Sequence, residues 1–146
     1  RAEISDGDRY PDDQGGQSIP FRPSEVIGLD ESLEHILHGD PGYRSGGHLY
    51  STVVENMFEG KIAFPESWTE QRIEQVCWSV IRGATRVISR GQRFLLTATV
   101  DDVQGTVQVI HRASGPVVRT AHPDGGVGVM RVHDGALSPV ALESSA

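Results

Sequence analysis

The strongest periodicity in the chain lies in residues 65–82, PESWTEQRIEQVCWSVIR, where Ile73, Val76, Cys77, Val80 and Ile81 recur at offsets of 0, 3, 4, 7 and 8. That spacing lines one face of an α-helix. Ser67 followed by Glu70 gives it a capping-box start, and Gly83 ends it. Cys77 falls inside the apolar stripe and therefore reads as a small core residue rather than a nucleophile. Val26, Ile27, Leu29, Leu33, Ile36 and Leu37 mark an earlier helix, capped by Ser24 or Asp30 and stopped at Gly39, with Pro41 and Gly42 beyond it.

From Arg93 the period becomes that of strands. RFLLTATV, VQGTVQVIH, PVVRTAHP and VGVMRV are β-rich runs separated by Asp101-Asp102, Ser114-Gly115 and Asp124-Gly125-Gly126, which predicts an antiparallel meander. Residues 39–61 are rich in glycine and polar groups and read as a loop with one short element around Tyr50 to Val54. Helices followed by strands give an α+β domain, an N-terminal helical lobe packed against a C-terminal twisted antiparallel sheet. The expected boundaries are an acidic, largely disordered linker over 1–23, the folded domain over 24–132, and a frayed tail over 133–146.

Composition narrows the class. The chain has 146 residues, 37% hydrophobic with 17 glycines besides, enough for one ordinary core. A single cysteine excludes a disulfide-stapled scaffold. No apolar run approaches the roughly 18 residues of a membrane helix, and no signal peptide opens the chain. It begins on Arg1 rather than Met, as a segment of a longer product would. The net charge of −7 is uneven: residues 1–34 hold nine acids against three arginines, while Arg72 to Arg119 holds seven arginines against three acids. Such a basic stretch is compatible with nucleic acid, although arginines at this density usually form a solvated face.

Six histidines and one lysine are the candidate chemistry. His35 and His38 stand three apart at a helix end, His48 follows a Ser-Gly-Gly loop, and Lys61 is the sole lysine beside twelve arginines. Two imidazoles and an ammonium suffice to cleave RNA without a metal. One imidazole takes the 2′-hydroxyl proton, the other protonates the departing 5′-oxygen, and the cation balances charge on the phosphoryl oxygens. Two rivals use the same residues: a metal-dependent hydrolase with His35, His38, Asp40 and His48 as ligands, and histidines that merely cap helices or fill polar niches. His111 and His133 are assigned to that structural role.

Taken together, Glu34-His35-Ile36-Leu37-His38-Gly39-Asp40, Gly46-Gly47-His48, Gly60-Lys61-Ile62-Ala63-Phe64-Pro65-Glu66-Ser67-Trp68 and Arg119-Thr120-Ala121-His122-Pro123 resemble the successive motifs of EndoU-type ribonucleases in their bacterial toxin-domain form. The resemblance spans about Leu33 to Val132. It implies an endoribonuclease that leaves a 2′,3′-cyclic phosphate, often at uridine, with no cofactor and with a divalent metal allowed but not required. His35, His48 and Lys61 would be the catalytic set, and Gly47, Thr120 and His122 would contact substrate. His122 stands where the family has tyrosine, which puts uridine preference and rate in question before reaction type and keeps open a catalytically silent relative that binds a partner. The resemblance further implies a toxin domain of a larger secreted bacterial protein, acting in the cytoplasm of a target cell and opposed by a cognate immunity protein, for which an acidic surface would suit an arginine-rich cleft.

Overall fold

The computed structural model describes residues 8–40 and 44–142. The expectations for residues 1–7 of the linker, for Pro41 and Gly42, and for 143–146 of the tail lie outside the described residues. Three helices, α1 (Leu29–His38), α2 (Tyr50–Asn56) and α3 (Glu70–Gly83), accompany seven strands. These are β1 (Ile62–Ala63), β2 (Arg86–Arg90), β3 (Arg93–Val100), β4 (Val103–Arg112), β5 (Gly115–Gly126), β6 (Met130–His133) and β7 (Ala136–Pro139). The class is α+β, as the sequence predicts. The strands form two antiparallel sheets instead of one, a meander β2-β3-β4-β5 and a smaller sheet β1-β6-β7.

α3 forms where the period places it and buries Ile73, Val76, Cys77, Val80 and Ile81. Its cap is Thr69, whose hydroxyl accepts from the Arg72 N–H, rather than Ser67. The chain over 65–68 is closed by a Trp68 N–H to Pro65 C=O bond, which leaves Ser67 inside the turn. Burial pushes the Cys77 thiol up to about 12, with Glu74 adding to the effect, so it stays a protonated core side chain. α1 starts between the two predicted caps: it begins later than Ser24 would give because Ile27 is held by β5, its N–H donating to Pro116 C=O and its C=O accepting from Val118 N–H, while Asp30 already lies in the first turn. Helical geometry begins only after Gly28 releases the chain from that pairing. Gly39 ends α1 as expected.

The main core lies between α1, α3 and one face of the meander, with Ile36, Leu37, Ile81, Leu96, Val107, Val109 and Ala121 among its buried members. Two departures from the sequence reading enlarge it. Residues 8–23 are not a linker throughout: Tyr10 and Phe21 are buried, and the Tyr10 hydroxyl donates to the Ile81 carbonyl at 2.6 Å in the last turn of α3. Phe21 then meets Phe94 edge-on at 5.0 Å between ring centroids. Two aromatic anchors offset the ordering entropy of an otherwise polar segment. The tail is likewise not frayed from 133 onward, because β6 and β7 pair from Met130↔Pro139 to His133↔Ala136. Val132 and Ala63 of the small sheet bury Val53 of α2.

β5 carries two irregularities that matter for the site. Its pairing with β4 shifts between Gln104 and Gly105 and again between Gln108 and Val109, leaving Arg119 and Asp124 as extra residues on either side of Thr120–Pro123. Asp124-Gly125-Gly126, predicted as a turn, is the bulged end of this strand. Bulges of this kind redirect side chains beside functional sites.

Phe21→Ala is expected to cost about 3–5 kcal/mol by chemical denaturation, the range for emptying an aromatic core position. A linker side chain would register within about 0.5 kcal/mol.

Candidate functional site

The last carbonyls of a helix lack intrahelical partners. In α1 they are taken up by the glycine-histidine loop, residue by residue: Gly47 N–H donates to His35 C=O at 2.9 Å, His48 N–H to Ile36 C=O at 2.8 Å, and Leu49 N–H to Leu37 C=O at 3.2 Å. His48 C=O in turn accepts from Phe64 N–H just after β1. His35 and His48, thirteen positions apart, are thus fixed by one short ladder. Its closeness explains Gly46, which has φ +71°, and at which a Cβ would come within 2.2 Å of the His35 carbonyl oxygen and 2.9 Å of its ring.

Lys61 closes the other side. Its ammonium donates to the Gly46 carbonyl at 2.7 Å and to the Arg44 carbonyl, so two of three N–H donors hold the loop and one is left. Burial and then the Arg44 guanidinium pull the Lys61 pKa below the usual lysine range. Arg44, His48, Phe58, Glu59, Lys61 and Ile62 are among the residues that line an open cleft of about 230 Å³. A larger groove of about 550 Å³ runs beside Tyr10, Phe21, Arg22 and Glu25, and no histidine or lysine lines it.

From β5, His122 reaches the same place, its ring centroid 5.9 Å from that of His48. Thr120 lies two residues earlier on the same strand face and pairs with Gln108. The charges of His122, Lys61 and His35 all bear on His48. His48 and Lys61 thus line one cleft, His122 stands beside His48, and His35 and Gly47 are tied to the same loop through the backbone ladder.

The three imidazoles share a mode of attachment. His35 uses Nδ1 toward Asp40 Oδ1 at 3.0 Å, His48 uses Nδ1 toward the Ile62 carbonyl at 2.7 Å, and His122 uses Nδ1 toward the Pro123 carbonyl at 3.2 Å and Asp124 Oδ1 at 3.3 Å. A carbonyl oxygen only accepts, so His48 and His122 carry their proton on Nδ1, and each leaves Nε2 for other work. Their environments differ. His48 is 9% exposed, and burial drives its pKa down to about 3 against the pull of the Ile62 carbonyl, with the neighbouring positive charges pushing the same way. For His122 burial also acts downward, but the bond and charge of Asp124 with the Pro123 carbonyl outweigh it against Arg131, and the net shift is upward.

His38 does not join the cluster. Its Nε2 lies 3.4 Å from Glu70 Oε1 at the start of α3. Among the described residues, the one trio whose metal-ligating atoms lie within 4.8 Å of one another is the exposed set Glu59, His133 and Asp134. His35, His38, Asp40 and His48 form no such group, so their arrangement does not fit the metal-hydrolase alternative. His111 packs against Phe21 at 5.2 Å, the structural role the sequence assigns it. Asp124 is the site residue that sequence reading missed; its signal was the i, i+2 spacing from His122 on a strand, masked by the glycines that follow. No family model matches this chain, nor does any curated protein or solved structure.

Gly46→Ala is expected to destabilise the domain by more than Gly60→Ala, since both positions have positive φ but a Cβ at Gly60 meets nothing within 4 Å. Equal losses by denaturation would contradict the tight ladder. His48 stays neutral in the fold to about pH 3 whereas the unfolded side chain takes up a proton near 6.5. Its contribution to stability is therefore complete above that pH and lost as pH falls toward 3. In NMR titrations the His48 ring signals should stay flat from pH 8 to 5; a midpoint near 6.5 would show the ring is not held as described.

Proposed function

We propose that this chain is an endoribonuclease that cleaves single-stranded RNA by attack of the ribose 2′-oxygen on the adjacent phosphate, leaving a 2′,3′-cyclic phosphate and a 5′-hydroxyl. What carries the reading is that His48, a buried imidazole whose Nδ1 is committed to the Ile62 carbonyl and whose Nε2 is not, lines one cleft with the Lys61 ammonium and has the His122 ring centroid 5.9 Å away. A neutral Nε2 beside a cleft is suited to take the 2′-hydroxyl proton. The nucleophile is the substrate's own oxygen, in keeping with a lone cysteine that is buried and protonated.

Lys61 has two tasks in this scheme. Two of its N–H groups keep the Arg44–Gly46 backbone closed over the site, and the third is available to a phosphoryl oxygen. Proton donation to the leaving oxygen falls to a second imidazole, and His35 and His122 both stand beside His48. Thr120 and His122, on one face of β5, would meet the base or phosphate from the strand side. Uridine preference, the role of toxin domain within a larger secreted bacterial protein, action in a target-cell cytoplasm and an acidic immunity partner follow the motif resemblance and belong to the same proposal.

His48→Ala and Lys61→Ala should each lower cleavage of a uridine-containing single-stranded RNA by about 100-fold or more, the scale of losing an acid-base group or an oxyanion donor. Circular dichroism and the melting transition check that each variant is folded. Full activity in either folded variant refutes the assignment.

A further inference from the structure

We propose that His122 is the proton donor to the leaving 5′-oxygen, and that Asp124 is the positioning residue that holds it in that role through a chain reaching Thr106 and Thr97. The inference rests on the ribonuclease reading and settles which imidazole faces His48 across the phosphate.

The chain is set by sheet register. Thr97, Thr106 and His122 stand opposite one another on β3, β4 and β5. The Thr106 hydroxyl donates to Asp124 Oδ2 at 2.6 Å, and Thr97 Oγ1 lies 3.1 Å from Thr106 Oγ1. A hydroxyl has one proton, so with that of Thr106 spent on Asp124 the Thr97 hydroxyl is the donor to Thr106. Both threonines are buried. The second bulge of β5 supplies Asp124 as an extra residue just past His122, and its other oxygen, Oδ1, lies 3.3 Å from His122 Nδ1. One carboxylate is thus anchored on one side by a buried hydroxyl and presents its other oxygen to an imidazole, as a carboxylate does when it orients a working histidine.

His48 faces His122 with ring centroids 5.9 Å apart, and both rings have Nδ1 tied down and Nε2 free. The charged and titratable groups around His122 are Asp124 on its own strand, the neutral His48 from the loop before α2, and Arg131 from β6; only the first favours the imidazolium. Two neighbouring imidazoles, one held toward the neutral form by burial and the other biased toward the imidazolium by a carboxylate, are arranged as a base and an acid. In the reaction His48 Nε2 accepts the 2′-hydroxyl proton, the 2′-oxygen bonds to phosphorus, and the P–O5′ bond breaks with its electron pair passing to O5′. That oxygen takes the proton from His122 Nε2. His48 leaves the step protonated and His122 neutral, and exchange with water restores both. His35, turned to Asp40, is left to hold the loop and the phosphate.

The test compares RNA with uridine 3′-(4-nitrophenyl phosphate), whose leaving group departs without a proton. His122→Ala should lose about 100-fold or more on RNA and less than about 10-fold on the activated ester. If His35→Ala shows that split and His122→Ala loses both substrates equally, the assignment is overturned. The alkaline limb of the RNA profile, where a donor loses its proton, should move to lower pH in Asp124→Asn; an unmoved limb contradicts the role given to Asp124. NMR titration of the His122 ring reads the coupling without any RNA: its midpoint should fall in Asp124→Asn, and by less in Thr106→Val, which also serves should the first variant fail to fold. An unchanged midpoint rejects the chain. Wild-type protein that cuts neither substrate ends the ribonuclease reading and the donor role with it, whereas the NMR result judges the Asp124–His122 link alone.

Discussion

The constraint on which the site depends is the unpaired C-terminus of α1. There the Ile36 and Leu37 carbonyls take their donors from His48 and Leu49, and the His35 carbonyl, already bonded to Gly39 N–H, takes a second donor from Gly47. That ladder places the His48 ring behind the helix end that carries His35. It also requires backbone in place of side chain at Gly46, and the Lys61 ammonium then binds the carbonyls that the loop turns outward. The positions of three candidate groups follow from satisfying one helix terminus.

The two lobes contribute differently. The helical side and its loop produce a buried, neutral imidazole, because the His48 backbone is bonded to Ile36 of α1 on one side and to Phe64 after β1 on the other, which leaves the residue 9% exposed. The sheet side favours the protonated form of the other, because a bulge brings a carboxylate next to His122 and buried threonines keep that carboxylate in place. In the proposed reaction, environment alone would separate the acid and base functions of the same side-chain type.

Much of this was legible in the sequence, and what was not has identifiable causes. α3 and strands β3 to β5 follow from apolar period because each buries one regular face. β2 escaped notice: Arg86 and Arg90 stand on its outer face and Val87 is its one fully buried residue. Tyr10 and Phe21 were hidden in a polar run, since their contribution is tertiary and no local pattern announces it. α1 begins later than a Ser24 cap would give because β5 captures Ile27 first. At the site, residue types and motif order singled out His35, His48, Lys61 and His122. The roles of the rings were not legible, because they turn on which carbonyl or carboxylate meets each Nδ1, and the Ile62 and Pro123 carbonyls are backbone groups that exist at every position.

The most direct test of the central claim is the chemistry of the cut end. A uridine-containing oligoribonucleotide incubated with the purified protein in the presence of a chelator should give fragments ending in a 2′,3′-cyclic phosphate, seen by mass spectrometry, while the same oligonucleotide with 2′-deoxyuridine at the cleavage position should stay intact. Cleavage of the deoxy substrate, or fragments formed directly with a 3′-hydroxyl, would contradict attack by the 2′-oxygen and with it the account given for these imidazoles.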